Sequence, residues 1–441
     1  MKLAGWGNFP SGETDLQYAN NAGTVVARLG EGAVIARGAG RSYGDAAVGI
    51  GKTVNLQGLD RFIAFDGACG ELTAEAGVSL SDIVATMLPR GFFPAAVPGT
   101  QYVTVGGMIA ANIHGKNHHK SGGFGRHVLR LSLLQADGQV VSCSRQENPA
   151  LFHATLGGMG LTGIVLDASF KLIPVETSYV RQETLVAPDL DSVMAAFEAS
   201  RDWTYTVAWI DGLASGRFLG RSLFYRGEHA KLAELDASQR LTPLAAPPDR
   251  RLSVPFFFPG NSLNRATVKA FNAFYWWNGS RQRGARIADL GSFFFPLDGI
   301  ANWNRIYGRR GFIQHQSVIP KPQSRQAIAS LLELIARRGN PSFLTVLKLL
   351  GPDDDGLLSF PMEGYTLAIG FPASPDTLSL ARELDDIVAR HGGRLYLAKD
   401  ARQAPEMADR GYPNLESFRS FRRGSGAALK FRSFQSERLG L

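Results

Sequence analysis

Cysteine is nearly absent. Two in 441 residues, Cys69 and Cys143, cannot form a disulfide framework, and no Cys/His spacing suits structural zinc. Each is read as a small core residue rather than a reactive thiol. Long apolar runs are missing as well: no stretch of about 18 apolar residues has the composition of a membrane-spanning helix. The opening MKLAGWGNFPSGETD lacks the apolar centre of a signal peptide, giving the expectation of a soluble, cytoplasmic chain, at most peripheral to the inner membrane. Nor is there a block of one charge. Basic residues are scattered, with short concentrations such as Arg419, Arg422 and Arg423. A nucleic-acid partner would want a basic stripe or a recognisable module, and neither is found, so no nucleic acid is expected.

What is present is ordinary for a globular protein, with 44% hydrophobic and 20% charged residues. The length exceeds what one core serves, so two domains, or one with a large insertion, are expected. A net charge of +8 favours anionic partners such as phosphates or an acidic membrane surface. Fifty glycines gather in a few segments, marking loops where backbone must approach something closely.

Up to residue 175, short β-branched runs alternate with glycine turns, giving strands at 24–28, 33–36, 53–56, 62–66 and 71–75. A helix is predicted over 79–90, capped by Ser79 or Ser81 and stopped by Gly91. Residues 128–141 read as a hairpin turning at Ala136-Asp137-Gly138, and 163–174 as a strand closed by proline. From 176 onward glycine thins and aromatics rise. Helices are predicted at 190–201, 324–338 and 378–391, and strands at 205–211, 311–319, 342–349 and 365–371. The expected fold class is α+β: a first domain over 1–175, a second over 176–394, and a basic segment over 395–441 that returns to the first. Two apolar segments, 254–259 and 274–277, show no clear period. Core packing is the preferred reading, and an exposed loop touching lipid or a lipid-like substrate the alternative.

Chemistry concentrates in two glycine-rich stretches. The first, Arg37-Gly38-Ala39-Gly40-Arg41-Ser42-Tyr43-Gly44-Asp45, follows a strand, and its glycines let backbone N–H groups converge on an anion. A pyrophosphate suits such a nest. A Rossmann motif is disfavoured, because no amphipathic helix follows and no acidic residue stands at the later position that motif needs. The second stretch runs from Val97 to Asn117 and holds Gly99, Gly106, Gly107 and Gly115. Two nests feeding one ligand are most naturally explained by a long dinucleotide between them. His114, His118 and His119 sit in a glycine-rich loop without a carboxylate, which argues against a metal.

The pair RGAGRSYGD (37–45) and PGTQYVTVGGMIAANIHGKNHHKSGGFG (98–125), followed by LFHATLGGMGLTGI (151–164), resembles the PCMH-type flavin domain of the vanillyl-alcohol-oxidase family. HGKNHH and YLAKD (396–400) bring it nearest to that family's epimerase branch, and the likeness continues through GFIQHQSVIP (311–320) and FLTVLKLLGP (343–352). The resemblance implies FAD, held non-covalently, since Arg41 stands where many members carry a tethering histidine. It implies cofactor contacts from Arg37, Gly38, Ala39, Gly40, Arg41, Ser42, Tyr43 and Gly44. From the second stretch it adds Gly99, Thr104, Val105, Gly106, Gly107, Ala111, Asn112, Ile113, His114 and Asn117, and beyond it Ile164 and Tyr396. Lys399 and His114 are implied as the catalytic groups, one of which accepts the hydroxyl proton as hydride leaves for the flavin. Gln314, Gln316, Lys348 and Lys399 are implied substrate contacts. A lysine acts as base only if burial or neighbouring positive charge lowers its pKa; otherwise it holds the substrate as a cation.

The activity that the epimerase branch implies is oxidation of the 2′-hydroxyl of a polyprenyl-phosphoryl ribose, giving a 2′-keto sugar. Its implied partners are the polyprenyl-phosphate sugar, an NAD(P)H-dependent short-chain reductase and a peripheral membrane contact. A soluble alditol or aldonolactone oxidase using oxygen is the alternative. A non-catalytic flavoprotein is disfavoured, because a scaffold needs neither His114 nor Lys399. The sequence departs from the branch in GYTLAIGFP, which places Ala368 and Gly370 where a cysteine and an aspartate are usual, so the pocket is altered at two positions.

Overall fold

Three sheets carry the core of the computed structural model, which describes residues 1–246, 252–260, 262–282, 284–340, 342–352 and 355–441. The smallest is parallel, with Lys52–Asn55 between Asp15–Tyr18 and Val34–Arg37. Its core joins Val25, Leu29, Val34 and Val54 to Leu134 and Ile164 of the next sheet and to Phe431 from the C-terminal segment. Residues 24–28, expected as a strand, belong to the helix Ala22–Leu29. The Asn21 side chain accepts from the Thr24 amide at 2.8 Å, and the Thr24 hydroxyl accepts from the Asn21 amide at 3.1 Å. That capping box fixes a helix start and outweighs the β preference of Thr24-Val25-Val26.

The second sheet is antiparallel, in the order Val140–Ser144, Val128–Leu134, Ile164–Pro174, Glu71–Glu75, Phe62–Asp66. Phe92–Pro94 pairs with the far end of Ile164–Pro174. The expected hairpin is present, turning through Gly138 at φ +85°. Ser79 caps the helix Leu80–Met87, and Gly91 at φ +80° ends the short turn after it. Cys143 is buried as expected. Cys69 is not a core residue: it is exposed, and its thiol donates to Asp66 Oδ2 at 3.3 Å.

The third sheet has eight strands, in the order Ala285–Asp289, Tyr179–Ala187, Ser222–His229, Tyr205–Ile210, Thr345–Leu350, Gly364–Pro372, Phe312–Pro320, Arg394–Leu395. The predicted strands and helices of this half are found with their ends shifted by a few residues. Alternate residues go to opposite faces of a strand. Ile313, Leu347, Leu349, Leu367 and Ile369 pack with the helices Leu190–Ala199, Lys321–Arg338 and Pro375–Arg390. Between them, Gln314, Gln316, Val346, Lys348 and Ala368 face a cavity on the other side. The preferred core reading of the apolar segments holds in part: Val254 is buried, and the Tyr275 ring packs 4.6 Å from that of Trp209. Phe256 is 62% exposed, and Phe274 and Trp277, in the helix Arg265–Gly279, are 62% and 48% exposed.

The C-terminal segment is fastened by Arg422, which is 1% exposed. Its guanidinium donates to the carbonyls of Leu161 (2.9 Å), Phe431 (2.6 Å) and Leu441. Arg422→Ala leaves these acceptors without donors, and each buried orphan costs about 1–3 kcal/mol. A destabilisation of about 3 kcal/mol or more is expected, read from the urea midpoint of unfolding. A loss below about 1 kcal/mol would show that water replaces the guanidinium.

Candidate active site

One cavity of about 840 Å³ is lined by both glycine stretches, the inner face of the eight-stranded sheet and the turn at 396–399. That volume is in the range of cofactor and ligand sites. The two nests are in direct contact. A Cβ on Gly38 would come within 2.1 Å of Thr104 Oγ1, so any side chain there would force the stretches apart. Gly40 adopts φ +64°, and the place where Gly99 would carry a Cβ has no atom within 4 Å. Bare backbone therefore faces the cavity from both stretches. Thr104 caps the short helix Val105–Ala110, its hydroxyl accepting from the Gly107 amide. The Arg41 guanidinium lies 4.0 Å above the Trp6 ring and 5.2 Å from that of Tyr102, which holds a cation in the wall. Glycine backbone on two sides and a fixed cation are the donor set a dinucleotide pyrophosphate needs, so these residues fit FAD.

The expected cofactor residues from Gly38 to Tyr43, with Gly99, Thr104, Gly106, Gly107, Ala111, Ile113, His114 and Tyr396, all line this cavity. So do Gln314, Gln316, Lys348 and Lys399. Arg37, Gly44, Val105, Asn112, Asn117 and Ile164 are not among the residues that line it, and each makes a contact that shapes the loops or the core. Arg37 donates to the carbonyls of Ala4 (2.8 Å) and Ala47 (3.2 Å), bracing the nest from behind. Gly44 presses on Asp400, whose carbonyl would lie 2.0 Å from a Cβ. Asn112 joins the Gly125 amide to Ser359, each at 2.8 Å, and Asn117 donates to the Ala95 carbonyl at 2.7 Å. Val105 and Ile164 are core residues. A motif read along the chain does not separate residues facing a ligand from neighbours that shape the loop.

Tyr396 joins the large sheet to the second glycine stretch: its amide donates to the Gln316 carbonyl (2.9 Å) and its hydroxyl to that of Ala111 (3.0 Å). Lys399 follows one turn later, with Nζ 3.6 Å above the Tyr43 ring. Burial, and then the positive charge of Lys348, lowers the Lys399 ammonium to about 7. Burial and Lys348 bring Lys116 to about 7 also, and burial brings Lys348 to about 8. All three lysines line the cavity and are partly exposed. None of the three has a carboxylate partner among the described residues. Lys116 rests on the carbonyls of Phe293 (2.7 Å) and Phe294 (3.0 Å).

His114 is held differently. The Gln316 amide nitrogen lies 3.1 Å from its Nε2, and Nδ1 is buried without a partner. Burial, with the charge of Lys348, keeps its pKa well below the usual histidine range. With the amide donating, His114 is neutral, its acceptor nitrogen is occupied, and Nδ1 offers a hydrogen to a ligand. Lys399 is thus the better proton acceptor of the two. His118 and His119 are structural: His118 Nδ1 accepts from the Gly351 amide (3.1 Å), and His119 Nε2 is 2.9 Å from the Trp203 carbonyl. Ala368 pairs across the sheet with Gln316, and Gly370 with Gln314. A Cβ at Gly370 would lie 2.9 Å from the hydroxyl of Tyr307, so glycine there leaves room for that ring, which stacks 4.4 Å from Phe312 in a buried aromatic cluster with Tyr43 and Trp303.

Several lining residues were not anticipated. Lys116 lies inside HGKNHH, so its position was visible although its role was not. Gln182, Tyr225 and Asp298 carry no motif. Asp298 accepts from the Gln101 amide at 2.7 Å, and nothing in its local sequence signals that contact.

A family profile described as an FAD binding domain matches residues 23–144. Decaprenylphosphoryl-beta-D-ribose oxidase of Mycolicibacterium smegmatis is 37% identical over all of this chain and 97% of its own length. An uncharacterized protein of Streptomyces coelicolor is 35% identical over 82% of the chain and 100% of its own length. L-gulonolactone oxidase of Mus musculus is 29% identical over 37% of the chain.

Lys399 is expected to change protonation near pH 7, a cation below and a free amine above. Lys348→Met removes a neighbouring charge and so shifts that titration to higher pH. Carbon-13 NMR of the reductively methylated protein, with Lys399→Arg to assign the signal, measures both values. A Lys399 signal titrating above pH 9 would contradict the desolvation argued here.

Proposed function

The chain belongs to the FAD-dependent oxidoreductase family of decaprenylphosphoryl-β-D-ribose oxidase, and from that premise we propose that it oxidises the 2′-hydroxyl of a polyprenyl-phosphoryl-β-D-ribose to the 2′-keto sugar. The observation that carries the reading is the set of three lysines, without a carboxylate partner among the described residues, facing the same cavity as the two glycine nests. Such a site is built for anions at two places, a cofactor pyrophosphate and a substrate phosphate.

FAD supplies the two-electron acceptor for the hydride from the carbinol carbon. The residues do the rest. Lys399, as the free amine, takes the hydroxyl proton, so that a C=O bond forms as the C–H and O–H bonds break. Lys348 stays close enough to depress Lys399 and, when protonated, attracts the phosphate of the substrate. His114 and Gln316 form a neutral pair that donates to sugar oxygens without competing for the proton. Gln314 lines the same face. Gly38 and Gly99 leave room for the dinucleotide, and Arg41 at the tether position gives no covalent attachment. The keto product passes to an NAD(P)H-dependent short-chain reductase, which completes epimerisation to the arabinose form. The reaction belongs at the cytoplasmic side of the inner membrane, where a polyprenyl phosphate is anchored.

The test is anaerobic reduction of the purified yellow protein, followed in the visible flavin bands. Bleaching by polyprenyl-phosphoryl ribose and not by free alditols is expected, with FAD released into the supernatant by acid. Bleaching by free sugars or alditols alone would assign a soluble oxidase, and failure to take up FAD would overturn the reading. Lys399→Met is expected to keep the flavin spectrum and slow reduction by about 10²–10⁴-fold.

A further inference from the structure

We infer that the outer wall of this cavity is a docking surface for an anionic lipid bilayer. The wall is the helix Arg265–Gly279 with the loop before it, and the helix is apolar on two faces. The inner face is accounted for by packing. Val268, Asn272 and Gly279 are buried, and the Asn272 amide donates to Asp211 Oδ1 at 2.7 Å. A Cβ on Gly279 would lie 2.1 Å from Leu223 Cδ1, and the Tyr275 ring is 4.6 Å from that of Trp209. The outer face has less cover. Phe274 and Trp277 are 62% and 48% exposed and lie outside the cavity, whereas Phe271, between the two faces, lines the cavity and packs 5.8 Å from the Phe343 ring. Phe256 and Phe257 add two exposed rings from the loop. A solvent-facing helix normally turns polar residues outward, so a second aromatic stripe marks a surface that meets something apolar.

Charge identifies what it meets. Residues 252–310 contain eight lysines and arginines and two aspartates, so this stretch carries six of the eight net positive charges of the chain. The two acids are spent locally: Asp289 caps the helix Leu290–Phe294, and Asp298 is buried. Basic groups lie among the rings instead, with the Arg281 guanidinium 3.6 Å above Trp277 and that of Arg305 5.8 Å from Phe257. Lys269 is exposed on the same helix. Aromatic rings interleaved with cations suit the headgroup layer of an anionic membrane: rings enter the acyl boundary while cations meet phosphates. No helix among the described residues is long and apolar enough to cross a membrane, so the contact lies on the surface. The same helix lines the cavity through Thr267, Val268 and Tyr275, so a docked bilayer adjoins the substrate site. Only the purpose of this surface, delivery of a lipid-linked sugar, rests on the proposed function.

The experiment is flotation of the full-length holoprotein with vesicles, without any sugar present. Vesicles of phosphatidylglycerol and phosphatidylcholine in equal parts are compared with phosphatidylcholine alone, and with the anionic vesicles in about 0.5 M salt. Binding to the anionic vesicles that weakens in salt is expected. Phe274→Ser with Trp277→Ser, and separately Lys269→Glu with Arg281→Glu, should each weaken it roughly tenfold or more at unchanged flavin content. None of these four side chains lines the cavity. A wild-type protein that stays with the soluble fraction, or variants that float as it does, would overturn the inference. So would sedimentation showing a dimer that the aromatic variants dissociate, since a second copy would then cover the face. None of these failures touches flavin reduction by substrate, which tests the oxidase reading by itself.

Discussion

Three ammonium groups, those of Lys116, Lys348 and Lys399, converge on one cavity, and none of them has a carboxylate partner among the described residues. Desolvated like charges are costly, and a protein can relieve the cost in two ways: lose a proton or bind an anion. This site is arranged for both. Lys116 and Lys399 are depressed by burial and also by the charge of Lys348, whereas Lys348 is depressed by burial alone. One cation is thereby kept for an anionic ligand while a neighbouring amine is made basic enough to matter near neutral pH and weak enough to be free.

That arrangement works only if Lys399 does not move away from Lys348, and the surrounding bonds prevent it. Asp400, the next residue, accepts from Arg438 at 2.9 Å and from the amides of Arg402 and Gln403. Arg438 also reaches Asp45 at 2.8 Å, and the Tyr43 amide donates to the Ala398 carbonyl at 3.0 Å. A guanidinium shared by two buried carboxylates thus ties the first glycine nest to the catalytic turn. Gly44 is required for the same reason, since any side chain would push Asp400 off the nest. Folding of the nucleotide loop and placement of the base are one event.

How far this could be read from the sequence depended on whether a feature is local. Asp-Gly at 137–138, Ser79 and Gly91 act within a few residues, and all three turned or capped the chain as predicted. Residues 24–28 have the β-branched composition of a strand, and the Asn21–Thr24 capping box that makes them a helix lies mostly outside that run. Strands Tyr179–Ala187 and Ser222–His229 were missed, as one face of each meets cavity and polar neighbours instead of a dry core. In the site, the glycine stretches were legible from their own composition and spacing, and Lys399 from the resemblance of YLAKD to a family motif. Gln182, Tyr225 and Asp298 were not, since each is brought in from elsewhere by the sheet or a loop.

The division of labour between His114 and Lys399 shows what only three dimensions supply. Both stand in conspicuous motifs, and residue type alone would favour histidine as the base near neutral pH. The large sheet reverses that preference. It brings Gln316 to His114 Nε2 and Lys348 close enough to oppose protonation of the ring. The same Lys348 acts on Lys399, but from an intrinsic value some four units higher, so burial beside it leaves the lysine titrating near 7 and favours the neutral imidazole. A shared electrostatic penalty therefore converts two potential bases into one base and one hydrogen-bond donor. Burial selects the lysine because it starts from the higher pKa.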